Sequence, residues 1–276
     1  MDLTMFCEEM KICLYQCGRV AQRLRGKVTR EEKEPEEHQL STSVSDVDRI
    51  CQEIILLKAL QIMPEIEVSG EEIEELPSHL KELFNRNSSR YVLVIDPVDG
   101  TDCYLEGGKE YAHMVGILDQ ETGRMACGLV YFPEFSNLYY AIRGTGSFVV
   151  KGIFGESKRL ETREPPRTFG QVKRLEEHDY AAFNRAGFSL DTKNNRSAAY
   201  AHIRVAEGSL GAMVARHFHG YDTAITSVII EEVGGAVIGD DGSTVRYEKA
   251  MPRMPLVISS VLPELSEALY QALNKQ

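Results

Sequence analysis

Residues 91–104 read YVLVIDPVDGTDCY, an unbroken apolar run that ends in two aspartates, Asp96 and Asp99, with Pro97 and Val98 between them. A short continuous block of β-branched and aliphatic residues predicts an inner strand. The Asp, Pro and Gly that follow predict its end in a turn. A turn needs one acidic side chain at most. Two carboxylates beside a buried strand repel each other unless positive charge lies between them, so the segment predicts a bound cation at the strand's exit.

The remaining composition is compatible with such a site and excludes others. A chain of 276 residues can bury a full core, as one large domain or two smaller ones. Its formal charge of -11 argues against a nucleic-acid polymer as partner, because that affinity comes from basic residues displacing counterions. An anionic ligand must then be drawn in locally, by a metal or a helix end. The opening MDLTMFCEEMKICLYQC places acids where a secretion signal carries bases, and no apolar run is long enough to cross a bilayer. A cytoplasmic location without membrane contact is the expectation. Cys7, Cys13, Cys17, Cys51, Cys103 and Cys127 lack paired C-x-x-C spacing, which predicts reduced thiols used in packing.

Along the chain, residues 3–25 have helical periodicity, and the charged segment 27–43 that follows predicts a loop. SVSDVDRICQEIILLKAL predicts an amphipathic helix capped at Ser45 or Asp46, with Asp48 in its first turn. IMPEIEVSGEE reads as extended and HLKELFNRN as helical, and the runs AHMVGIL, GRMACGLVYF, NLYYAI and GSFVV predict an antiparallel meander. The polar stretch 156–194 marks a change of unit, giving an N-terminal half over 1–155 and a C-terminal half over 156–276. Further on, SAAYAHIRVAEGSLGAMVA mixes helix and strand, YDTAITSVIIEEVGG reads as a helix closed by glycines, and AVIGDDG as a strand entering a turn.

Acids from distant places, Asp48, Glu71, Asp96, Asp99 and Asp222, each stand at the entrance or exit of an apolar element, where loops converge. Hard oxygen donors without His or Cys suit magnesium. After Asp99 comes GTD at a predicted helix start, whose free amides at Gly100 and Thr101 could hold a phosphate, while the Thr101 hydroxyl could orient a water.

DPVDGT at 96–101, GEE at 70–72, YDTAITSVIIEEVGG at 221–235 and VSDVDR at 44–49 resemble, in order, the signature segments of the inositol monophosphatase superfamily, the magnesium-dependent, lithium-sensitive phosphatases that include nucleoside bisphosphate phosphatases. The resemblance implies a layered αβαβα sandwich of α+β or α/β class, with an antiparallel sheet in the N-terminal half and a mixed sheet in the C-terminal half. It implies that Glu71, Asp96, Asp99, Asp222 and the Val98 carbonyl hold two or three Mg²⁺ ions. Asp48 and Thr101, with Glu71, would activate water for in-line displacement without a covalent intermediate, and Gly100 and Thr101 would bind phosphate. A small phosphorylated substrate, such as an inositol or sugar phosphate, and a homodimer are also implied. The acidic 27–43 loop fits equally closure over the site, as in relatives, and a solvated charge run. A nucleoside bisphosphate is the alternative substrate, and a phosphometabolite-binding protein without turnover the alternative class.

The chain departs from the pattern at several positions. Tyr221 stands where many relatives have Trp, and the glutamate that holds the inositol ring hydroxyls falls at Ala215, followed by Arg216 and His217. The lysine of the nucleoside bisphosphate branch falls at Ala201. Arg196, Ser197, Arg216 and His217 are therefore the candidate substrate contacts. A haloacid dehalogenase-type mechanism fails, because its nucleophile position is Pro97. A calcium loop fails because its closing glutamate would be Gly107. GDDG at 239–242 reads as a turn.

Overall fold

The computed structural model describes residues 2–28, 30–32, 43–71, 73, 76, 78–84, 89–172, 175–191, 193 and 195–274. In chain order its elements are α1 (Leu3–Leu24), β1 (Arg30–Glu32), β2 (Ser43–Ser45), α2 (Asp46–Ile62), β3 (Glu67–Gly70), α3 (Ser78–Phe84), β4 (Tyr91–Asp99) and α4 (Thr101–Leu105). Then follow β5 (Ala112–Asp119), β6 (Arg124–Phe132), β7 (Asn137–Ile142), β8 (Gly146–Lys151), β9 (Ser157–Arg159), β10 (Thr168–Gly170), α5 (Glu177–Arg185) and β11 (Ser189–Leu190). The chain continues through α6 (Ala198–Ala206), β12 (Ala212–His219), α7 (Gly220–Glu232), β13 (Ala236–Gly239), β14 (Arg253–Ser260) and α8 (Pro263–Asn274).

Strands β3 to β9 form one sheet in sequential order, antiparallel except for the parallel pair β3–β4. The second sheet runs β11-β10-β12-β14-β13 and is mixed. The continuous apolar run in β4 is explained by burial of both its faces. Leu93 and Ile95 pack with α1 and α2, whereas Val92 and Val94 pack with α6 and α7. The far face of the second sheet covers α5 and α8, with Phe169, Phe183, Val214, Ile258 and Leu269 in one cluster. The result is the layered αβαβα sandwich that the family resemblance implies.

Helix α7 lies between the sheets, and its residues Thr223 to Ile230 are all buried, so it carries apolar side chains on every face rather than one stripe. Gly128 lets it approach the first sheet closely. Gly116 and Gly128 are cross-strand partners on β5 and β6, and a Cβ on Gly128 would lie 2.2 Å from the Ile225 carbonyl oxygen.

Three expectations are refined. The two ends of segment 27–43 form an antiparallel ribbon, β1 with β2, and Glu31 accepts a hydrogen bond from Arg49 at 2.6 Å. Residues 33–42, the part of that segment read equally as a closing loop and as a solvated charge run, lie outside the described residues. Strand β9 is the last of the first sheet and β10, the next in the chain, belongs to the second, so the chain changes sheet between Arg159 and Thr168. All six cysteines are buried and free. Among the described residues no helix is long and apolar enough to cross a membrane.

Gly128→Ala should destabilise the protein by about 1–3 kcal/mol, because backbone rather than a flexible side chain must yield; an unchanged denaturation midpoint would refute this seating of α7. His202, buried on α6 against Thr226 Oγ1 at 2.9 Å, is held neutral by burial, which lowers its pKa from 6.5 to about 4. In that window the unfolded chain binds the extra proton, so the contribution of neutral His202 is complete above pH 6.5 and is lost as pH falls toward 4. Stability profiles of wild type and His202→Asn should differ in slope there by up to about 1.4 kcal/mol per pH unit, and parallel profiles would contradict the assignment.

Candidate active site

The site forms at the end of β4. Side chains alternate along a strand, so residues three apart point to opposite faces, and Asp96 and Asp99 would be separated by the sheet itself. A bulge prevents this. Asp96 pairs with Met114 and Asp99 with Ala112, leaving Pro97 and Val98 both opposite the single residue His113. Val98 therefore joins Leu93 and Ile95 on the α2 side, while Asp99 turns back to the side of α6 and α7. Proline is tolerated because a bulge residue owes no ladder hydrogen bond. β4 thus continues through both aspartates, where the sequence predicted that it would end in a turn. Gly100 follows with φ 82°, a left-handed conformation suited to glycine, and starts α4.

Three of the neighbouring carboxylates, Asp48, Asp99 and Asp222, accept donors from a helix start. Ser45 caps α2, and its N–H and Oγ donate to Asp48 Oδ2 at 2.9 and 2.6 Å. Asp48 Oδ1 accepts from Thr101 Oγ1 at 3.0 Å, and the same hydroxyl lies 2.9 Å from the Val98 carbonyl. Asp99 accepts the N–H groups of Ala198 and Ala199 at 3.1 and 3.0 Å, and the hydroxyl of Ser197, the cap of α6. Asp222, in the first turn of α7, accepts from the His219 N–H at 3.2 Å. Glu71 follows β3 beside β4, where its N–H donates to the Ile95 carbonyl at 3.4 Å. Gly70 permits this approach, since a Cβ there would meet the Ile95 oxygen at 2.3 Å.

Asp96 sits at the centre. Burial pushes its pKa well above the usual carboxylate range, and the charges of Glu71, Asp99, Asp222 and Asp48 push it further. The pKa of Asp99 rises to about 6 through burial, tempered by its Ser197, Ala199 and Ala198 hydrogen bonds. Asp96 Oδ1 is buried with no hydrogen-bond partner among the described residues. All five acids singled out in the sequence therefore act on one point. Among the described residues, however, no three His, Cys, Asp or Glu side chains are drawn together closely enough to hold an ion as they stand. Asp48, Asp99 and Asp222 are turned to protein donors.

The expected substrate contacts fare differently. Arg216 lies on the same face of β12 as Val214, toward α5, and both its Nε and Nη2 donate to buried Asp179 at 2.7 Å. The pair ties β12 to α5. Arg196 Nη2 is bonded to Glu106 at 2.6 Å, and the Ser197 hydroxyl donates to Asp99. His217 adopts φ 54°, and its carbonyl accepts from Arg253 at 2.9 Å. Sequence reasoning missed a strap from the C-terminal half. Lys249 forms an ion pair with buried Glu67 at 2.8 Å, its carbonyl accepts from Ser69 Oγ at 2.6 Å, and the Pro252 carbonyl accepts from Gly220 N–H at 3.1 Å. The segment ties the strand before Glu71 to the helix of Asp222. No local motif marks it, because its partners are 180 residues apart in one case.

Comparison with known proteins identifies the family and the fold. Residues 6–276 match the model of the inositol monophosphatase family. The chain is 28% identical over 247 residues to a fructose-1,6-bisphosphatase/inositol-1-monophosphatase of Aquifex aeolicus, covering 85% of each protein. It is 27% identical over 195 residues to a histidinol-phosphatase of Chlorobaculum parvum, covering 70% of this chain and 71% of that one. The fold matches a crystal structure of an IMPase/NADP phosphatase complexed with Mg²⁺ and phosphate, with TM-score 0.76, 19% identity and coverage of 100% of this chain and 97% of the other. This chain belongs to the inositol monophosphatase family, whose members are phosphatases that hydrolyse phosphomonoesters.

Proposed function

We propose that the protein is a magnesium-dependent phosphomonoesterase that hydrolyses a small phosphorylated metabolite with water as the nucleophile. The observation that supports this best is the convergence of Glu71, Asp48, Asp99 and Asp222 on Asp96, whose Oδ1 is buried without a partner. An all-oxygen donor set of this kind fits a hard divalent cation. Glu71, Asp96, Asp99, Asp222 and the Val98 carbonyl would hold two or three Mg²⁺ ions. When bound, such ions would neutralise phosphoryl charge and make water acidic enough to attack at neutral pH.

The chain's own groups supply orientation and a route for the proton. Thr101 Oγ1 has one proton and faces two acceptors, Asp48 Oδ1 and the Val98 carbonyl. Its lone pairs are left to accept from a water placed for in-line attack. As that water loses a proton to Thr101 Oγ1, the threonine's own proton passes to Asp48 Oδ1. Both Ser45 donors on Asp48 Oδ2 keep Oδ1 aimed at Thr101. The first amides of α4, at Gly100 and Thr101, have no intrahelical partner by the geometry of a helix start and would receive the phosphate oxygens. Cytoplasmic location, homodimerisation and inhibition by lithium complete the proposal.

Phosphate release should require Mg²⁺ and be abolished by chelation, tested with inositol phosphate, histidinol phosphate, fructose bisphosphate and phosphoadenosine phosphate, each with and without lithium. Absence of release from every member, with unimpaired binding of any one, would favour a sensor over an enzyme. Ser197→Ala, which removes a donor to Asp99, should weaken metal affinity about 10–100-fold, and Asp99→Asn should cost more. Equal Mg²⁺ half-saturation in Ser197→Ala and wild type would contradict the role given to Asp99.

A further inference from the structure

A histidine in the middle of AHMVGIL is an anomaly, because every residue of β5 is buried and His113 is 0% exposed. Burying an imidazole is costly unless its polar atoms are bonded. His113 makes one such bond: Nδ1 lies 2.5 Å from the Pro97 carbonyl oxygen. A carbonyl can only accept, so Nδ1 carries the proton and donates. Nε2 is buried with no hydrogen-bond partner among the described residues. The whole polar function of this side chain is therefore spent on Pro97.

The register gives that bond its consequence. His113 is the one β5 residue opposite the two-residue bulge, between Met114, the partner of Asp96, and Ala112, the partner of Asp99. The bulge disrupts the ladder at Pro97 and Val98, and His113 donates to the Pro97 carbonyl from its side chain. The same peptide plane joins Pro97 to Val98, whose own carbonyl receives the Thr101 hydroxyl. Rotation of the plane would swing Val98 and return Asp99 toward the opposite face of the sheet.

We propose that His113 is a positioning residue of the active site: by donating Nδ1–H to the Pro97 carbonyl it locks the bulge that puts Asp96, Asp99 and the Val98 carbonyl on the ion-binding side. The inference rests on the proposed reading of those groups as metal ligands. It predicts a defect in metal binding rather than in substrate recognition.

Mn²⁺ binding by titration calorimetry, without substrate, is the direct test, with Mg²⁺ half-saturation and substrate KM at saturating metal measured beside it. In His113→Leu, Mn²⁺ affinity should fall about tenfold or more, with substrate KM nearly unchanged. His113→Asn should restore most of the affinity, since an asparagine amide reaches the position of Nδ1. His113→Gln, whose amide reaches the position of Nε2, should not. If the leucine variant fails to fold, the asparagine–glutamine contrast carries the test alone, and equal Mn²⁺ affinity in those two variants would overturn the proposal. Asp99→Asn separates this from failure of the underlying reading. Wild-type Mn²⁺ affinity in Asp99→Asn would sink the metal-ligand assignment itself, whereas lost affinity there with wild-type affinity in the histidine variants would sink only the role of His113.

Discussion

Negative charge gathered around Asp96 is the constraint that organises this molecule. The charges of Glu71, Asp99, Asp222 and Asp48 all act on that one buried carboxyl group, and burial acts in the same direction. The protein meets part of this cost with peptide dipoles. α2, α4, α6 and α7 all begin at the site, and Asp48, Asp99 and Asp222 each accept backbone N–H groups at the start of a helix. A helix N-terminus has partial positive charge and unsatisfied donors, so it favours a carboxylate. The remainder of the charge is what a divalent cation would neutralise.

The layered architecture is what brings those helix starts together. Each face of the first sheet contributes differently: α2 brings Asp48 from one side, while α6 and α7 bring donors and Asp222 from the other. A strand buried on both faces cannot present two carboxylates three residues apart to one face without breaking its own period. The bulge at Pro97 and Val98 resolves this conflict and sacrifices two ladder positions. The close seating of α7 against Gly128 sets the depth at which Asp222 approaches.

Coupling between the halves is as important as either half. Glu71, Asp96 and Asp99 belong to the first sheet, and Asp222 comes after the first long strand of the second. The Lys249 segment reaches back across this boundary to Ser69 and Glu67 and also receives the Gly220 amide. Neighbours on β12 alternate between its faces. Ala215 lies with the α6 and α7 layer, and Arg216 lies on the other face against Asp179.

Local pattern determined a great deal: the inner strand in YVLVI, the helix capped at Ser45, the meander and the acids at the ends of apolar elements. These are properties of short stretches, whose apolar period and capping residues act on their nearest neighbours. Tertiary structure alone decided the continuation of β4 through Asp99, the partner of Arg216, the Lys249 strap and the buried donor from His113. Each depends on register between strands or on contact between residues far apart in the chain. No local free energy distinguishes a histidine that faces a bulge from one that faces an ordinary ladder position, so only the assembled sheet could assign it.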